Sequence, residues 1–383
     1  MLFELVEAET QEAVIKVIGV GGCGGNAVDH MIDQGVQGVE FIAINTDAQA
    51  LKRSKAGTQL QIGSSITKGL GAGAKPSVGQ ASAEEDRERI REIVCDADMI
   101  FITAGMGGGT GTGAAPIIAQ IARELGILTV AVVTKPFAYE GNRTRLAKDG
   151  IEALHKHVDS LIVVPNSKLM EVLGSDVTLQ EAFKAANGVL QGAVAGIAEV
   201  INVPGLVNVD FADVKTVMSE NGMAMMGSAI ASGPDRARVA SEGAIASPLL
   251  EDVDVSGARG VLVNVTASSS LKLKELDVVM GCVQFAAEEA TVIVGSVLDE
   301  SMGEDLRVTV VATGLGMQQR VKMPKPELVY QNVARTGTHD EPVSSEIDTP
   351  AVMRHGRRAT VTAMQKSGMD TLDIPSFLRR QAD

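Results

Sequence analysis

Gly105-Met106-Gly107-Gly108-Gly109-Thr110-Gly111-Thr112-Gly113 decides how this chain folds. It follows ADMIFITA (Ala97–Ala104), an apolar run that reads as a buried strand, and precedes the helical pattern Ala114–Leu125. Consecutive glycines and hydroxyls between a buried strand and a helix form a cradle of N–H and O–H donors for phosphate oxygens. A merely flexible loop does not need GGGTGTG, a run that is rare by chance, at such a junction.

A second glycine loop lies upstream, Gly19-Val20-Gly21-Gly22-Cys23-Gly24-Gly25-Asn26, after the strand-like AVIKVIGV (Ala13–Val20). It contains G-x-G-x-x-G at Gly19, Gly21 and Gly24, which by itself points to a dinucleotide site. A nicotinamide enzyme also needs an acid at the end of the second strand. Glu40 has the spacing but opens that strand, which ends in Asn45-Thr46-Asp47. GGGTGTG therefore weighs against an oxidoreductase and for a site that cradles phosphate. A third loop, Lys68-Gly69-Leu70-Gly71-Ala72-Gly73-Ala74, can close over a terminal phosphate. G-x-x-x-x-G-K-[ST] does not occur, so the nucleotide is bound without a Walker lysine.

Further strands are expected in GVEFIAIN (Gly38–Asn45), GILTVAVVT (Gly126–Thr134) and VDSLIVVPN (Val158–Asn166), with a helix over Ser82–Asp96. This alternation predicts an α/β domain with a Rossmann-like parallel sheet over residues 1–177. Thr178–Asn202 predicts a long central helix, capped by Thr178 with Glu181 and stopped by Pro204-Gly205. Residues 203–316 predict a smaller second α/β domain, with strands in GVLVNVTA, ATVIVGSVL and LRVTVVATG and helices near 235–247 and 271–288. Residues 317–367 read as a flexible, disordered linker. In 368–383, Asp373 can cap a short helix that starts with Pro375 and places Ile374, Phe377 and Leu378 on one face. That is the pattern of a partner-docking peptide.

Composition narrows the class. The 383 residues include 41 glycines and no Trp, and the formal net charge is −14. So acidic a chain repels DNA and anionic membranes, so direct nucleic-acid binding is not expected. The cysteines are Cys23, Cys95 and Cys282, without C-x-x-C, which argues against a zinc site or a disulfide framework and fits a reducing cytoplasm. No metal-ligating cluster is expected. No apolar run approaches a membrane span of ~18 residues, and the acidic N-terminal stretch has no signal-peptide pattern.

GGGTGTG, the first glycine loop, NTDAQAL (Asn45–Leu51), ITKGLGAGA (Ile66–Ala74), NVDFADVK (Asn208–Lys215) and the terminal LDIPSFLRRQAD resemble the bacterial cell-division branch of the tubulin-like GTPases. The likeness covers roughly residues 13–316 and the last dozen. It implies GTP and GDP as ligands, with Mg²⁺, in a site that includes Gly21, Gly22, Cys23, Gly24, Gly25, Asn26, Gly105, Gly107, Gly108, Gly109, Thr110, Gly111 and Thr134. It implies Ala72 and Gly73 near the γ-phosphate, Glu140 and Arg143 near the ribose, Thr144 beside them, Phe183 stacked on guanine and Asn187 on its edge. Arg143 and Arg145 both flank Thr144, and either can make the nucleotide contact.

Read alone, Asp210 and Asp213 are helix-start residues, a cap and a first-turn acid. The resemblance gives them, with Asn208, another part: catalytic acids inserted in trans into the next subunit's nucleotide pocket. Head-to-tail association of this kind does not close, so it makes filaments. The resemblance further implies a cytokinetic ring beneath the inner membrane, with membrane-tethering and regulatory division proteins on the terminal peptide.

Overall fold

The computed structural model describes residues 13–315 except 175–176, 204–208, 221, 248–256 and 288–289. The linker and terminal peptide expected from sequence, and Asn208, lie outside the described residues. Among the described residues ten strands occur: β1 (Ile15–Val20), β2 (Glu40–Asn45), β3 (Thr58–Gln61), β4 (Met99–Gly105), β5 (Leu128–Lys135), β6 (Ser160–Pro165), β7 (Gly222–Ala231), β8 (Gly260–Ala267), β9 (Thr291–Leu298) and β10 (Leu306–Leu315). Between them lie α1 (Gly21–Asp33), α2 (Ala48–Leu51), α3 (Ser64–Thr67), α4 (Pro76–Glu85), α5 (Arg87–Val94), α6 (Thr110–Glu124), α7 (Asn142–His155), α8 (Asn166–Leu173), α9 (Leu179–Asn202), α10 (Phe211–Met218), α11 (Arg236–Ile245) and α12 (Leu273–Ala286).

The strands form one sheet in the order β3-β2-β1-β4-β5-β6-β7-β10-β8-β9. β3 through β6 are parallel throughout. β1 and β4 are buried along their length, which is why both read as continuous apolar runs. The two α/β halves are thus joined through a single sheet. The joint is short: β6 pairs with β7 only at Ser160↔Gly222, Leu161↔Met223 and Ile162↔Ala224. Beyond it the register turns antiparallel, β7 to β10 and β10 to β8.

Three apolar cores follow. One lies between the sheet and α1 and α9, one between the other face and α4 to α7, and one under α11 and α12. Helix α9 belongs to the first core and touches both halves, with Leu190, Val194 and Ile197 packed alongside Val130 and Ile162 of the first half and Leu262 and Val311 of the second. Its start is fixed as the sequence predicts: Thr178 Oγ1 accepts from Glu181 N at 3.3 Å, and Glu181 Oε2 accepts from Thr178 N at 2.9 Å.

The structure departs from the sequence reading in several places. The helix expected over 82–96 breaks at Asp86, whose carboxylate accepts from Gly63 N and from Arg89, each at 2.8 Å. Those bonds hold Asp86 at φ −103, ψ 23, outside helical geometry. Helix α4 begins earlier instead, with Pro76 in its first turn. Strand β7, the bridge between the halves, was not expected, because GMAMMGSAIA lacks β-branched residues apart from Ile230. Of its adjacent methionines, Met226 is buried in the core with α9, and Met225 packs partly buried against the core under α11 and α12.

One buried ion pair holds the second half's helices. Arg236, at the start of α11, meets Glu275 of α12 through two bonds of 2.7 and 3.0 Å, and also donates to Glu304 O at 2.7 Å. The guanidinium holds the Glu275 carboxyl below its ordinary range. Arg236→Ala strands that carboxylate, so we expect about 3–5 kcal/mol of lost stability. Urea unfolding checks this, and a change under about 1 kcal/mol would mean the pair is solvated.

Candidate functional site

Strand order reverses between β1 and β4, because β2 lies on one side of the pair and β5 on the other. Ligands of open α/β sheets bind outside the carboxyl ends at such a point. Here those ends carry the two glycine loops.

Helix α1 starts at Gly21, directly after β1, and α6 starts at Thr110 behind Gly109. Neither has a side-chain cap or an acid in its first turn. Two sets of first-turn N–H groups are left for an external anion. Hydroxyls tie the loops: Thr46 and Thr110 Oγ1 are 2.6 Å apart, and Gly107 N donates to Thr112 Oγ1 at 2.9 Å.

A cleft of ≈ 280 Å³ lies over the loops and brings together Gly22, Cys23, Gly105, Gly108, Gly109, Thr110, Gly111, Thr134, Glu140, Arg143 and Phe183. An adjoining cavity of ≈ 460 Å³ is lined by Gly21, Gly22, Gly25 and Asn26, with Asn45 and Asp47 of NTDAQAL. Gly22 borders both. Arg143 lines the cleft and Arg145 does not.

The other expected residues stand around these two. A Cβ on Gly24 would lie 2.4 Å from Thr103 O, so Gly24 lets α1 seat against β4. Gly107 has φ +98 and rests on the backbone of Arg143. A Cβ on Gly109 would lie 2.8 Å from that of Ala72, so the 68–74 loop reaches the cradle without lining either cavity. Within that loop Gly73 is left-handed, and so is Lys68, a strained φ of 53 for a residue with a side chain. Thr144 is exposed near the start of α7, and Asn187 is half-buried one turn beyond Phe183 on α9.

The far wall is aromatic. Buried Phe137 meets Phe183 edge-on at 5.7 Å and stacks on Tyr139 at 5.4 Å. Phe183 itself is 44% exposed, leaving ring surface open to a flat ligand. Glu140 is already engaged: one oxygen accepts from Phe137 N and the other from Arg143, both at 2.9 Å. The Cys23 side chain packs at Gly105, its sulfur 3.9 Å from Thr134 Oγ1. Although the residue is exposed, crowding around the sulfur desolvates it and raises the thiol pKa, opposed by Thr134 and reinforced by Glu140.

One residue escaped the sequence reading. Asn166, the first residue of α8, lines the cleft with Phe183, is only 5% exposed, and its buried Oδ1 has no hydrogen-bond partner. An orphaned acceptor beside an open ring suits the N–H edge of a base. Its signal was an asparagine at the carboxyl end of a buried strand.

Asp210 takes the N-cap position of α10 but makes no side-chain cap bond, so the simple capping role is not realised. Asp213 lies in the first turn, and both residues are exposed. They stand far from the cleft. Helix α9 carries Phe183 near its start and runs 24 residues, about 36 Å. At its far end Asn202 donates to Ala13 O and Gly38 O, which precede β1 and β2. The end of α10 is held at the start of β6, where Ser160 donates to Met218 O at 2.7 Å. The cleft is at the carboxyl ends of the parallel strands and the two acids are at the amino ends. Glu40, the acid a nicotinamide site needs, likewise opens β2 and lies 3.4 Å from Lys16.

Known proteins match the chain along its length. The Tubulin/FtsZ family GTPase domain matches residues 14–174, and the FtsZ family C-terminal domain matches 222–316. The chain is 57% identical to the cell division protein FtsZ of Coxiella burnetii over 385 residues, 99% of each chain. It is 56% identical to that of Pseudomonas aeruginosa over 398 residues, 100% of each. Among solved structures, an empty FtsZ dimer from M. jannaschii superposes with a TM-score of 0.77 at 44% identity, covering 82% of this chain and 90% of that one. GDP-bound CetZ1 from Haloferax volcanii shares the fold, with a TM-score of 0.69 at 20% identity.

Proposed function

The chain belongs to the tubulin/FtsZ family and is a GTPase, and we propose that its active site is completed only when two copies meet head to tail. The observation that carries this is the separation of parts: a cleft over the two glycine loops at the carboxyl ends of the sheet and two exposed acids at the opposite ends. About 28 Å of helix, from Phe183 to Asn202, lies between them, so neither acid reaches its own cleft. Stacking subunits along this axis brings the acids of one to the cradle of the next. Such association is open-ended and makes filaments.

In this reading the N-termini of α1 and α6 hold the phosphates, Ala72 and Gly73 approach the terminal one, Arg143 reaches the ribose, and Phe183, Asn166 and Asn187 take the guanine. Asp210, Asp213 and Asn208 of the neighbour orient a water for attack on the γ-phosphate, since phosphoryl transfer depends on positioning and charge stabilisation. No group of three or more His, Cys, Asp or Glu suited to a metal occurs among the described residues. The cleft's donors suit phosphate oxygens rather than a cation, so a Mg²⁺ ion would be held mainly by the nucleotide and would supply charge neutralisation there. The filament forms the ring of bacterial cell division in the cytoplasm, beneath the inner membrane. No described helix is long and apolar enough to cross a membrane, and tethering is assigned to partners of the terminal peptide.

The test is GTP turnover per subunit as protein concentration rises. A threshold and steep rise are expected. A turnover constant from the most dilute sample upward would make the cleft self-sufficient and end the shared-site reading.

A further inference from the structure

The turn that follows β2 touches two parts of the nucleotide site at once. Thr46 begins this turn and is fully buried. Its hydroxyl oxygen lies 2.6 Å from that of Thr110, the first residue of α6. Its carbonyl accepts from Thr67 Oγ1 at 3.3 Å. Next along the chain, Asp47 bridges Leu70 and caps α2, and Ala48 N donates to Gly69 O at 3.1 Å. The turn is therefore pinned by β2, α2 and the 68–74 loop, and the Thr46 hydroxyl is a fixed post beside the phosphate cradle.

Donors and acceptors decide which hydroxyl gives its hydrogen. Each has one hydrogen to donate and two lone pairs that accept. Among the described residues, Thr110 Oγ1 is the one hydrogen-bond partner of the Thr46 hydroxyl. If Thr110 donated, the Thr46 hydrogen would be buried with no acceptor, which is the costly arrangement. Thr46 therefore donates and Thr110 accepts. The Thr110 hydrogen is left free, and Thr110 lines the cleft. Phosphate oxygens only accept, so a hydroxyl serves them only as a donor. Accepting a bond also polarises a hydroxyl and strengthens the bond that it donates in turn.

We propose that Thr46 is a positioning residue of the nucleotide site: by donating to Thr110 Oγ1 it commits the Thr110 hydroxyl to donate to a phosphate oxygen. This rests on the reading that the start of α6 holds the phosphates. Thr46 lines neither cavity, so it acts on the nucleotide through Thr110 and not by contact.

GTP titrations of the full chain and its variants test this. Thr46→Val keeps the size of the side chain and loses the hydroxyl, whereas Thr46→Ser keeps the hydroxyl and loses a methyl group. Affinity is expected to follow the hydroxyl: about tenfold weaker in Thr46→Val, the worth of one net hydrogen bond, and within about twofold of the wild type in Thr46→Ser. Thr110→Val should weaken binding at least as much. The double variant should bind no worse than Thr110→Val alone, because no hydroxyl is left to position. Should Thr46→Val fail to fold, Thr46→Ala against Thr46→Ser carries the same contrast, since both lack the methyl group and differ in the hydroxyl. Full affinity without the Thr46 hydroxyl, equal losses in Thr46→Ser and Thr46→Ala, or losses that add in the double variant would each leave Thr46 a packing role only and overturn the proposal. Wild-type affinity in Thr110→Val would instead remove Thr110 from the phosphates, and overturn the underlying reading together with the proposal.

Discussion

Asp213→Ala is expected to leave GTP binding within about threefold of the wild type while lowering turnover about 10²- to 10³-fold, the usual loss when a group acting only in the transition state is removed. Binding is spared because the cleft holds no part of α10. Folding is spared because Asp213 is exposed in the first turn of α10 and is not its N-cap. Mixing sharpens the test. A variant with a blocked cradle still carries good acids, and Asp213→Ala still carries a good cradle. Random head-to-tail stacking of equal amounts places a good cradle against good acids at about one interface in four, so the mixture should regain roughly that share of activity. Parallel loss of binding and turnover in Asp213→Ala would put the acid in its own pocket and refute the shared site.

Gly24→Ala and Gly22→Ala are expected to fail in opposite ways, although the residues are two apart in one loop. A Cβ on Gly24 meets Thr103 O at 2.4 Å and Gly19 C at 2.9 Å, all backbone that cannot swing aside. Helix α1 must lift from the centre of the sheet, at a cost of about 3 kcal/mol. A Cβ on Gly22 meets nothing within 4 Å, so stability should stay within about 0.5 kcal/mol. Its methyl group enters the space where phosphate oxygens approach the α1 N–H groups, so GTP affinity should drop at least about tenfold. Denaturant midpoints and nucleotide titrations separate the two. A stable Gly24→Ala, or a Gly22→Ala that binds GTP normally, would show that the roles of these glycines have been exchanged.

That contrast marks a limit of reading sequence. Both glycines belong to one legible motif, and nothing in GVGGCGGN tells which faces a ligand and which faces a strand. Cleft membership of Cys23, Thr134, Glu140, Arg143 and Phe183 came from resemblance, and the structure gathers all five. Asn166 carried only its place at the carboxyl end of a buried strand. Its importance appears only when its unpaired oxygen is found beside Phe183, which lies 17 positions along the chain.

The sequence by itself determined the parallel sheet, the two glycine cradles, the long capped helix and the lack of a Walker lysine. These rest on period, propensity and spacings of a few residues, which act locally. The tertiary structure decided what depends on pairs far apart in the chain. Asp86 breaks a helix because Gly63 is near it. The unremarked β7 joins two halves through three residue pairs. Asp210 and Asp213 of NVDFADVK stand at the opposite end of the sheet from the cleft. Burial and register are set by which surfaces meet, and a residue's neighbours in space are not written in its neighbours along the chain.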